Sequence, residues 1–345
     1  MMQHKIIEKH PLLDEKGELI ECGYANSLVL DYDRNAIKSK KRRIKEWDYY
    51  LITNEKYAVA LTIADNSYMG LDSISFLDLT ANPWEKTVSK MQAFTNGKKN
   101  LPASSEYGDV FLKGKGYFIK YLNKGNERHI SFEMKNFLDK KTIKGEFIIE
   151  SPKEDSMVIV TPYKEDKKAF YYNQKINCMR TSGKVELGTE VYEFSKTNTF
   201  ACLDWGRGVW LRKGVWYWGT CSSLHNGERF GFNIGYGFGD TSAASENMIF
   251  YKGKAHKLDL VEMIIPINNG KYNYLQPWII TSNDKRFEMV FEPILDRNAK
   301  IDIIIIGSDQ HQVFGKISGK AILDDGEVLE IKNCLCSVEH IKNKW

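Results

Sequence analysis

The chain has 345 residues, of which 42% are hydrophobic and 27% are charged, and its formal net charge is +4. This composition is typical of a water-soluble globular protein, and the length allows two domains of ordinary size. The small net charge gives no electrostatic reason to expect nucleic acid as a partner. No apolar run is long enough to cross a bilayer, so we expect no stable membrane insertion.

The spacing of cysteine and histidine argues against a metal or disulfide framework. The six cysteines form no Cys-x-x-Cys pair, and the seven histidines form no metal-binding pattern. No glycine-rich phosphate loop follows a predicted strand, so we expect no metal and no organic cofactor. The first residues, MMQHKIIEKHPLLDEKGE, lack the features of a secretion signal. Free thiols in a reducing cytoplasm are therefore expected.

The first quarter of the chain is predicted to form antiparallel strands. Along residues 57–64, large side chains alternate with small ones, which predicts a strand with one bulky and one small face. A basic run, KSKKRRIK, lies at Lys38–Lys45. Such a run can contact phosphates or lipid head groups, but no aromatic residues interrupt it. A solvated loop between strands is the favoured interpretation.

One segment predicts a helix, at Pro83–Asn96. Asn82 can cap the first turn, proline suits the first helical position, and Glu85 stands where a capping box places a carboxylate. Gly97 would end the helix. The apolar residues at helical spacing are Trp84, Val88, Met91 and Phe94.

The remaining chain again predicts short strands joined by turns. Hairpin turns are expected at Lys252-Gly253, Asn283-Asp284 and Asp325-Gly326. Many short strands with a single helix predict an all-β protein built from antiparallel sandwiches or barrels. We place the domain boundary after Asn177, giving domains at 1–177 and 178–345.

The most unusual segment is Phe200–Leu258, where bulky rings are interleaved with glycine. Large apolar residues occupy every second position from Phe230 to Phe238, with Gly231, Asn233, Gly235 and Gly237 between them. Glycine inside a strand often marks a close approach by another group. We expect the glycine face to line a ligand cavity. The alternative is that it lets another strand or ring pack closely.

Two charged residues in this segment are candidates for chemistry. Asp204 and Arg207 stand three apart around Gly206, where a turn would let them form an ion pair. This structural role is the favoured interpretation. In the alternative, both residues are catalytic, and Asp204 faces an apolar cavity, its pKa raised by burial, and donates a proton to an alkene or carbonyl.

Several long motifs resemble one family. They are LDWGRGVW, WYWG, GFNIGYGFGDTSAASENM and FYKGKAHKL, with KEWDYY and TIADNSY earlier and VFGKISG and SVEH later. The chain resembles the domain-of-unknown-function family 2804. That family is distantly similar to a lipocalin-like group containing carotenoid hydratases, tocopherol cyclase, fungal lipocalin-type cyclases and a yeast survival factor.

The resemblance implies two tandem lipocalin-like antiparallel β-barrel domains of calycin type, with one short helix in the first. In the hydratase-like relatives a Trp-x-Asp-x-Glu-Trp segment opens the second domain. Here Asp204 matches its acidic position, and glycine or arginine replaces the glutamate that follows.

Three functions remain open. The favoured one is binding or carrying a hydrophobic small molecule of lipid or isoprenoid type. The second is a cofactor-free hydratase, cyclase or isomerase with Asp204 as the acid. The third is a structural or interaction protein whose barrels are filled by their own side chains. The residues expected to contact a ligand are Trp205, Trp210, Trp216, Trp218, Asn233, Gly235, Tyr236, Asp240, Glu246 and Asn247.

Overall fold

The computed structural model of the chain describes residues 3–303 and 306–344. These residues form antiparallel β-structure almost throughout, which confirms the predicted all-β fold class. Two short 3₁₀ helices lie at Arg34–Ala36 and Lys41–Arg43.

Strands β1 to β15 belong to the first part of the fold. In order, they are His10–Pro11, Gly23–Ala25, Leu30–Asp31, Ile44–Thr53, Tyr57–Asp65, Met69–Asp78, Trp84–Ala93, Val110–Gly114, Tyr117–Asn123, Glu127–Leu138, Lys141–Glu150, Met157–Tyr163, Asp166–Leu187, Glu190–Phe194 and Phe200–Val209. Thirteen of them form one sheet, whose main path runs β7-β6-β5-β4-β15-β13-β11-β10-β9-β8.

Strands β16 to β26 belong to the second part. In order, they are Lys213–His225, Glu228–Tyr236, Met248–Tyr251, Lys254–Lys257, Val261–Ile264, Ile267–Asn268, Lys271–Tyr272, Trp278–Ser282, Phe287–Ile303, Ile306–Ile322 and Val328–Lys344. Nine of them form a second sheet in the order β19-β18-β17-β16-β26-β25-β24-β23-β20. The three predicted hairpin turns are confirmed between β18 and β19, β23 and β24, and β25 and β26.

Each sheet encloses its own apolar core, and a third apolar cluster lies between the two sheets. Strand β5 shows how one sequence serves two cores, since successive side chains point to opposite faces. Val59 and Leu61 pack in the first core, whereas Ala58 and Ala60 pack between the sheets. The predicted bulky and small faces are confirmed. The small face lets the second sheet approach.

The predicted helix at Pro83–Asn96 is wrong, because Trp84–Ala93 is strand β7. It pairs with β6 over its whole length, from Asp78 opposite Trp84 to Met69 opposite Ala93. A helix of this length has little stability of its own in water, so tertiary pairing overrides the capping signals. Met91 is 66% exposed, so the expected stripe does not form a buried face.

The two sheets meet in sequence between Val209 and Lys213, where β15 ends and β16 begins. The predicted division after residue 177 falls within β13, a long strand of the first sheet. It remains a prediction about domains. For the candidate site, the important point is that β13, β15 and β16 lie together where the sheets face each other.

The basic run is divided between solvent and core. Lys40, Lys41 and Arg42 are exposed, as expected for a solvated loop. Arg43, however, forms an ion pair with Asp166 and donates to the backbone carbonyl of Trp210. Lys45 lies at the start of β4 and is only 3% exposed. The end of the run therefore belongs to the folded framework.

Candidate functional site

A cavity of about 250 Å³ lies between the two sheets. Seven aromatic side chains line it: Trp47, Tyr49, Tyr171, Trp210, Trp216, Trp218 and Phe238. The polar side chains around it are Lys45, Thr62, Asn66, Lys175, Asp204, Arg297, Gln310, Gln312, Glu339 and Asn343. Both sheets contribute, so the site depends on their packing against each other.

The aromatic walls are held by contacts among the rings. Trp210 packs edge-on against Trp47 at 5.5 Å and against Trp216 at 5.4 Å between ring centroids. Tyr171 stacks on Phe238 at 4.7 Å. Such pairs stabilise by roughly 0.5–1.5 kcal/mol beyond the burial of their area. Because the rings lock one another, the walls are preorganised.

Asp204 and Lys175 form a buried ion pair at the cavity. They stand directly opposite each other on β15 and β13, and the ammonium of Lys175 lies 2.8 Å from a carboxylate oxygen. Asn173 donates to the other oxygen at 2.7 Å. The Lys175 ammonium also lies 4.2 Å from the centroid of the Trp218 ring. Asp204 thus accepts two hydrogen bonds, as suits a charged carboxylate.

The predicted Asp204–Arg207 ion pair is wrong. No turn forms at Gly206, since β15 is continuous, and residues three apart in a strand point to opposite faces. Arg207 faces the first core, where it pairs with Asp48 at 3.0 Å. It also donates to the backbone carbonyls of Trp47, Gly206 and Pro102. The guanidinium therefore ties backbone segments together on the side away from the cavity.

Glu339, on β26, brings a carboxyl group from the second sheet to the cavity, where it is 9% exposed. Burial raises its pKa from 4.5 to about 8, against the opposing effect of Lys175 and Arg297. The neutral acid therefore predominates at pH 7. Beside it, Gln312 donates to the hydroxyl of Tyr49 at 3.2 Å.

Glu246 lies behind the cavity wall and is 3% exposed. Burial raises its pKa to about 7. Tyr171 donates a long hydrogen bond of 3.4 Å to one carboxylate oxygen. The other oxygen has no hydrogen-bond partner within the described part of the chain. Glu246 can therefore influence the cavity only through Tyr171 or through its charge.

A polar network fixes the position of Trp218. Its indole N–H donates to Asn233 at 2.7 Å, and Asn233 donates to the backbone carbonyl of Glu246 at 2.8 Å. The backbone N–H of Gly235 donates to Asn247 at 2.7 Å. Asn233, Gly235 and Asn247 thus support the wall from outside the cavity.

Gly231 and Gly235 on β17 do not line the cavity, so the prediction of a cavity-lining glycine face is wrong for these two residues and the close-packing alternative is correct. A Cβ atom on Gly235 would lie 1.9 Å from a carboxylate oxygen of Glu246. A Cβ atom on Gly231 would lie 2.4 Å from the carbonyl oxygen of Cys221 and 2.5 Å from the sulfur of Cys178. Glycine is needed here because neighbouring atoms occupy the space.

The other predicted contact residues are dispersed. Trp210, Trp216 and Trp218 line the cavity. Trp205 is in the first core, and Tyr236 packs against the second core, stacked on Tyr217 at 4.6 Å.

Asp240 lies in the loop after β17, where its carboxylate is 3.5 Å from the ammonium of Lys164. Although this residue was expected to contact a ligand, it does not line the inter-sheet cavity.

The sequence interpretation missed the polar residues that other strands bring to the cavity. Tyr49 and Glu339 lie in KEWDYY and SVEH, two motifs that carried the family resemblance without a role for either residue. Lys175 lies in the polar stretch Asn173–Lys175, directly after three aromatic residues of β13, so its position in the sequence did not indicate a role in a site. Gln312 and Arg297 lie in ordinary alternating strands and carried no signal.

Two further properties concern the class of site. Among residues 3–303 and 306–344, no group of three His, Cys, Asp or Glu side chains is arranged to hold a metal ion. The same residues include no helix with the length and apolar character needed to cross a membrane. All six cysteines are free thiols.

Comparison with solved structures gives neighbours at low identity. A candidate AttH protein from Nitrosomonas europaea superposes with a TM-score of 0.53 and 11% identity, covering 91% of this chain and 96% of that chain. Kievitone hydratase from Nectria haematococca superposes with a TM-score of 0.48 and 10% identity, covering 87% of this chain and 88% of that chain. CghA with Sch210972 superposes with a TM-score of 0.48 and 7% identity, covering 98% of this chain and 97% of that chain. Only the first superposition has a TM-score above 0.5, and because the identity is 11% it supports the fold alone.

No curated protein matches the chain by sequence. The profile of one family, described as Domain of unknown function (DUF2804), matches residues 3–345. The match confirms the resemblance drawn from the motifs, and the chain belongs to this family.

Proposed function

We propose that the protein binds a hydrophobic, ring-containing small molecule in the cavity between the two sheets. The observation that carries this proposal is the arrangement of seven aromatic side chains around a space of about 250 Å³, with polar side chains such as Asp204 and Glu339 at its border. Concave, mostly apolar sites with a few placed polar groups are typical of small-molecule binding. The volume is slightly below the range of roughly 300–1,000 Å³ usual for drug-sized ligands, which favours a compact molecule.

The location of the cavity favours binding over a purely structural role. The cores inside the sheets are filled by large side chains, including Trp205 in the first and Trp278 in the second. In a protein with a purely structural role we would expect close packing between the sheets as well, such as occurs at Ala58 and Ala60. At the cavity the tryptophans surround a space that no side chain of the described residues fills.

The polar side chains would orient such a ligand. Glu339, neutral at pH 7 because its pKa is about 8, can donate a hydrogen bond to a carbonyl or ether oxygen. The Asp204–Lys175 pair supplies a fixed dipole on the other sheet. These groups favour a ligand with an oxygen function near one end of an apolar body.

A second candidate function is cofactor-free acid–base catalysis on the bound ligand, and Glu339 is the observation that favours it. A neutral carboxylic acid beside aromatic rings can donate a proton to an alkene or carbonyl, and the rings can stabilise a cation by cation–π interaction. Asp204 is already paired with Lys175 and Asn173, so its carboxyl group can stabilise positive charge that develops on the ligand but is poorly suited to take up a proton. This assigns the acid role to Glu339 rather than to Asp204.

Native mass spectrometry of gently purified protein, followed by extraction of the released molecule, tests the proposal. We expect a bound small molecule in the wild type and its loss from Ala64→Phe, because Ala64 lines the cavity and a phenyl ring there would fill it. A ligand retained equally by both proteins would contradict binding at this site. Incubating the released molecule with wild type and Glu339→Gln then separates the two functions, since only an enzyme converts it.

A further inference from the structure

A second cleft, of about 430 Å³, adjoins the inter-sheet cavity, and Asn343 lines both. Four lysines line this cleft: Lys213, Lys300, Lys342 and Lys344. Its acidic lining residues are Asp302 and Asp309. The cleft therefore carries a positive excess at the edge of an apolar cavity.

Strand register creates this concentration of charge. Lys213, on β16, stands directly opposite Lys344, on β26. Like charges directly opposite each other in a sheet are destabilising. Among the residues that the structure describes, none of the four lysines forms an ion pair with a carboxylate. Asp309 stands opposite Lys300 and Lys342 in the sheet, and its carboxylate lies 3.5 Å from the His311 ring. The ammonium of Lys342 lies 5.0 Å from the centroid of the Tyr272 ring.

The other end of the same strands is arranged differently. On β25, Lys316 stands opposite Glu292 and Lys320 opposite Glu288. Lysines there face carboxylates across the sheet, which is the usual stabilising arrangement. Near the cavity, by contrast, Lys300 and Lys342 share one carboxylate, because both stand opposite Asp309, and Lys213 and Lys344 face each other. Positive charge therefore exceeds negative charge at the end of β26 that adjoins the inter-sheet cavity.

We propose that the ligand is an anionic amphiphile. Its apolar, ring-containing body occupies the inter-sheet cavity, and its carboxylate, sulfonate or phosphate group lies among the lysines of the second cleft. This inference rests on the proposed function, because it extends the same site. An anion there offsets the repulsion between Lys213 and Lys344, and the shared residue Asn343 lies at the border of the two spaces.

Two dyes with the same ring skeleton provide the test. Anilinonaphthalene sulfonate is anionic, whereas N-phenylnaphthylamine is neutral, and both fluoresce more strongly in apolar surroundings. We expect the wild type to bind the anionic dye about tenfold more tightly, and the preference to weaken as salt is added. In Lys342→Gln/Lys344→Gln the preference should fall to about twofold or less, with binding of the neutral dye unchanged.

The matched control removes two lysines from the other end, as Lys316→Gln/Lys320→Gln. We expect this variant to keep the wild-type preference. Equal affinity of the wild type for both dyes, or an equal loss of preference in the control, would overturn the anionic-ligand proposal while leaving the proposed function intact. Failure of the wild type to bind either dye would count against both, and Ala64→Phe should abolish binding of both.

Discussion

The contact between the two sheets is close-packed beneath β17 and hollow beside β4 and β16. Beneath β17, glycines let Glu246 and Cys178 approach the strand backbone. Beside β4 and β16, Trp47 and Trp216 frame a space of about 250 Å³. The difference shows that glycine in a strand marks where neighbours come close. Large interlocked rings, in contrast, mark where the sheets are held apart.

The largest expected effect comes from breaking the buried charge pair at the hollow region. Lys175→Met should lower the free energy of unfolding by about 3–5 kcal/mol, because it leaves Asp204 buried without its cation. The double variant Lys175→Met/Asp204→Leu should recover most of this loss. Chemical denaturation measures both. A single variant within about 1 kcal/mol of wild type would show that the pair is solvated and the cavity is not enclosed.

The close-packed region is tested by adding one methyl group. Gly235→Ala should destabilise by about 2–3 kcal/mol, since its Cβ atom would lie 1.9 Å from the carboxylate of Glu246. Gly214→Ala is the matched control, because the nearest atom, in Trp216, would be 3.7 Å away. We expect its effect to stay within about 0.5 kcal/mol. Equal effects at the two positions would remove the distinction between the regions.

Two alanines on the same face of β5 allow the close-packed and the hollow regions between the sheets to be tested along one strand. Ala60 belongs to the packed cluster between the sheets, so Ala60→Phe should cost about 1–3 kcal/mol. Ala64 lines the cavity, so Ala64→Phe should melt near the wild-type temperature. Thermal melts decide the point, and a collapsed Ala64→Phe protein would show that the space is not available to a side chain.

A smaller effect is expected from pH, through Glu339. Its pKa in the folded protein is raised to about 8 from 4.5, so between these values the folded state holds a proton that the unfolded state has released. Stability from this group is therefore present at low pH and lost as pH rises toward 8. Glu339→Gln should reduce this decline and be more stable than wild type at pH 8 by about 1 kcal/mol or more.

The slope should not vanish in Glu339→Gln, because burial also raises the pKa of Glu246, to about 7, and gives a contribution of the same sign. Denaturation at a series of pH values measures the slope. Identical slopes in variant and wild type would show that Glu339 titrates as an exposed carboxylate.

Local periodicity was enough to predict much of the fold. Alternation along β5 identified its two faces, and turn chemistry located three hairpins. The helix predicted for the segment that forms β7 is wrong because its capping signals are local. Pairing with β6 is a long-range interaction, which the spacing of residues in the sequence does not indicate. The predicted Asp204–Arg207 ion pair is wrong for a related reason, since Gly206 was expected to form a turn but lies within the continuous strand β15.

The site was predicted only where it lies in one segment. Three of its tryptophans and Asp204 come from the unusual stretch after Phe200, and composition identified them. Lys175 and Glu339 reach the cavity from strands distant in sequence. Their role depends on the packing of the two sheets, which no local pattern encodes. The direction of the pKa shift at Glu339 follows from the same packing.

The most direct test of the central claim is a crystal structure of the protein with bound N-phenylnaphthylamine. We expect the dye to lie between the sheets, in contact with Trp47, Trp218 and Glu339. A dye within the core of either sheet, beside Trp205 or Trp278, would contradict the proposal that the inter-sheet cavity is the binding site.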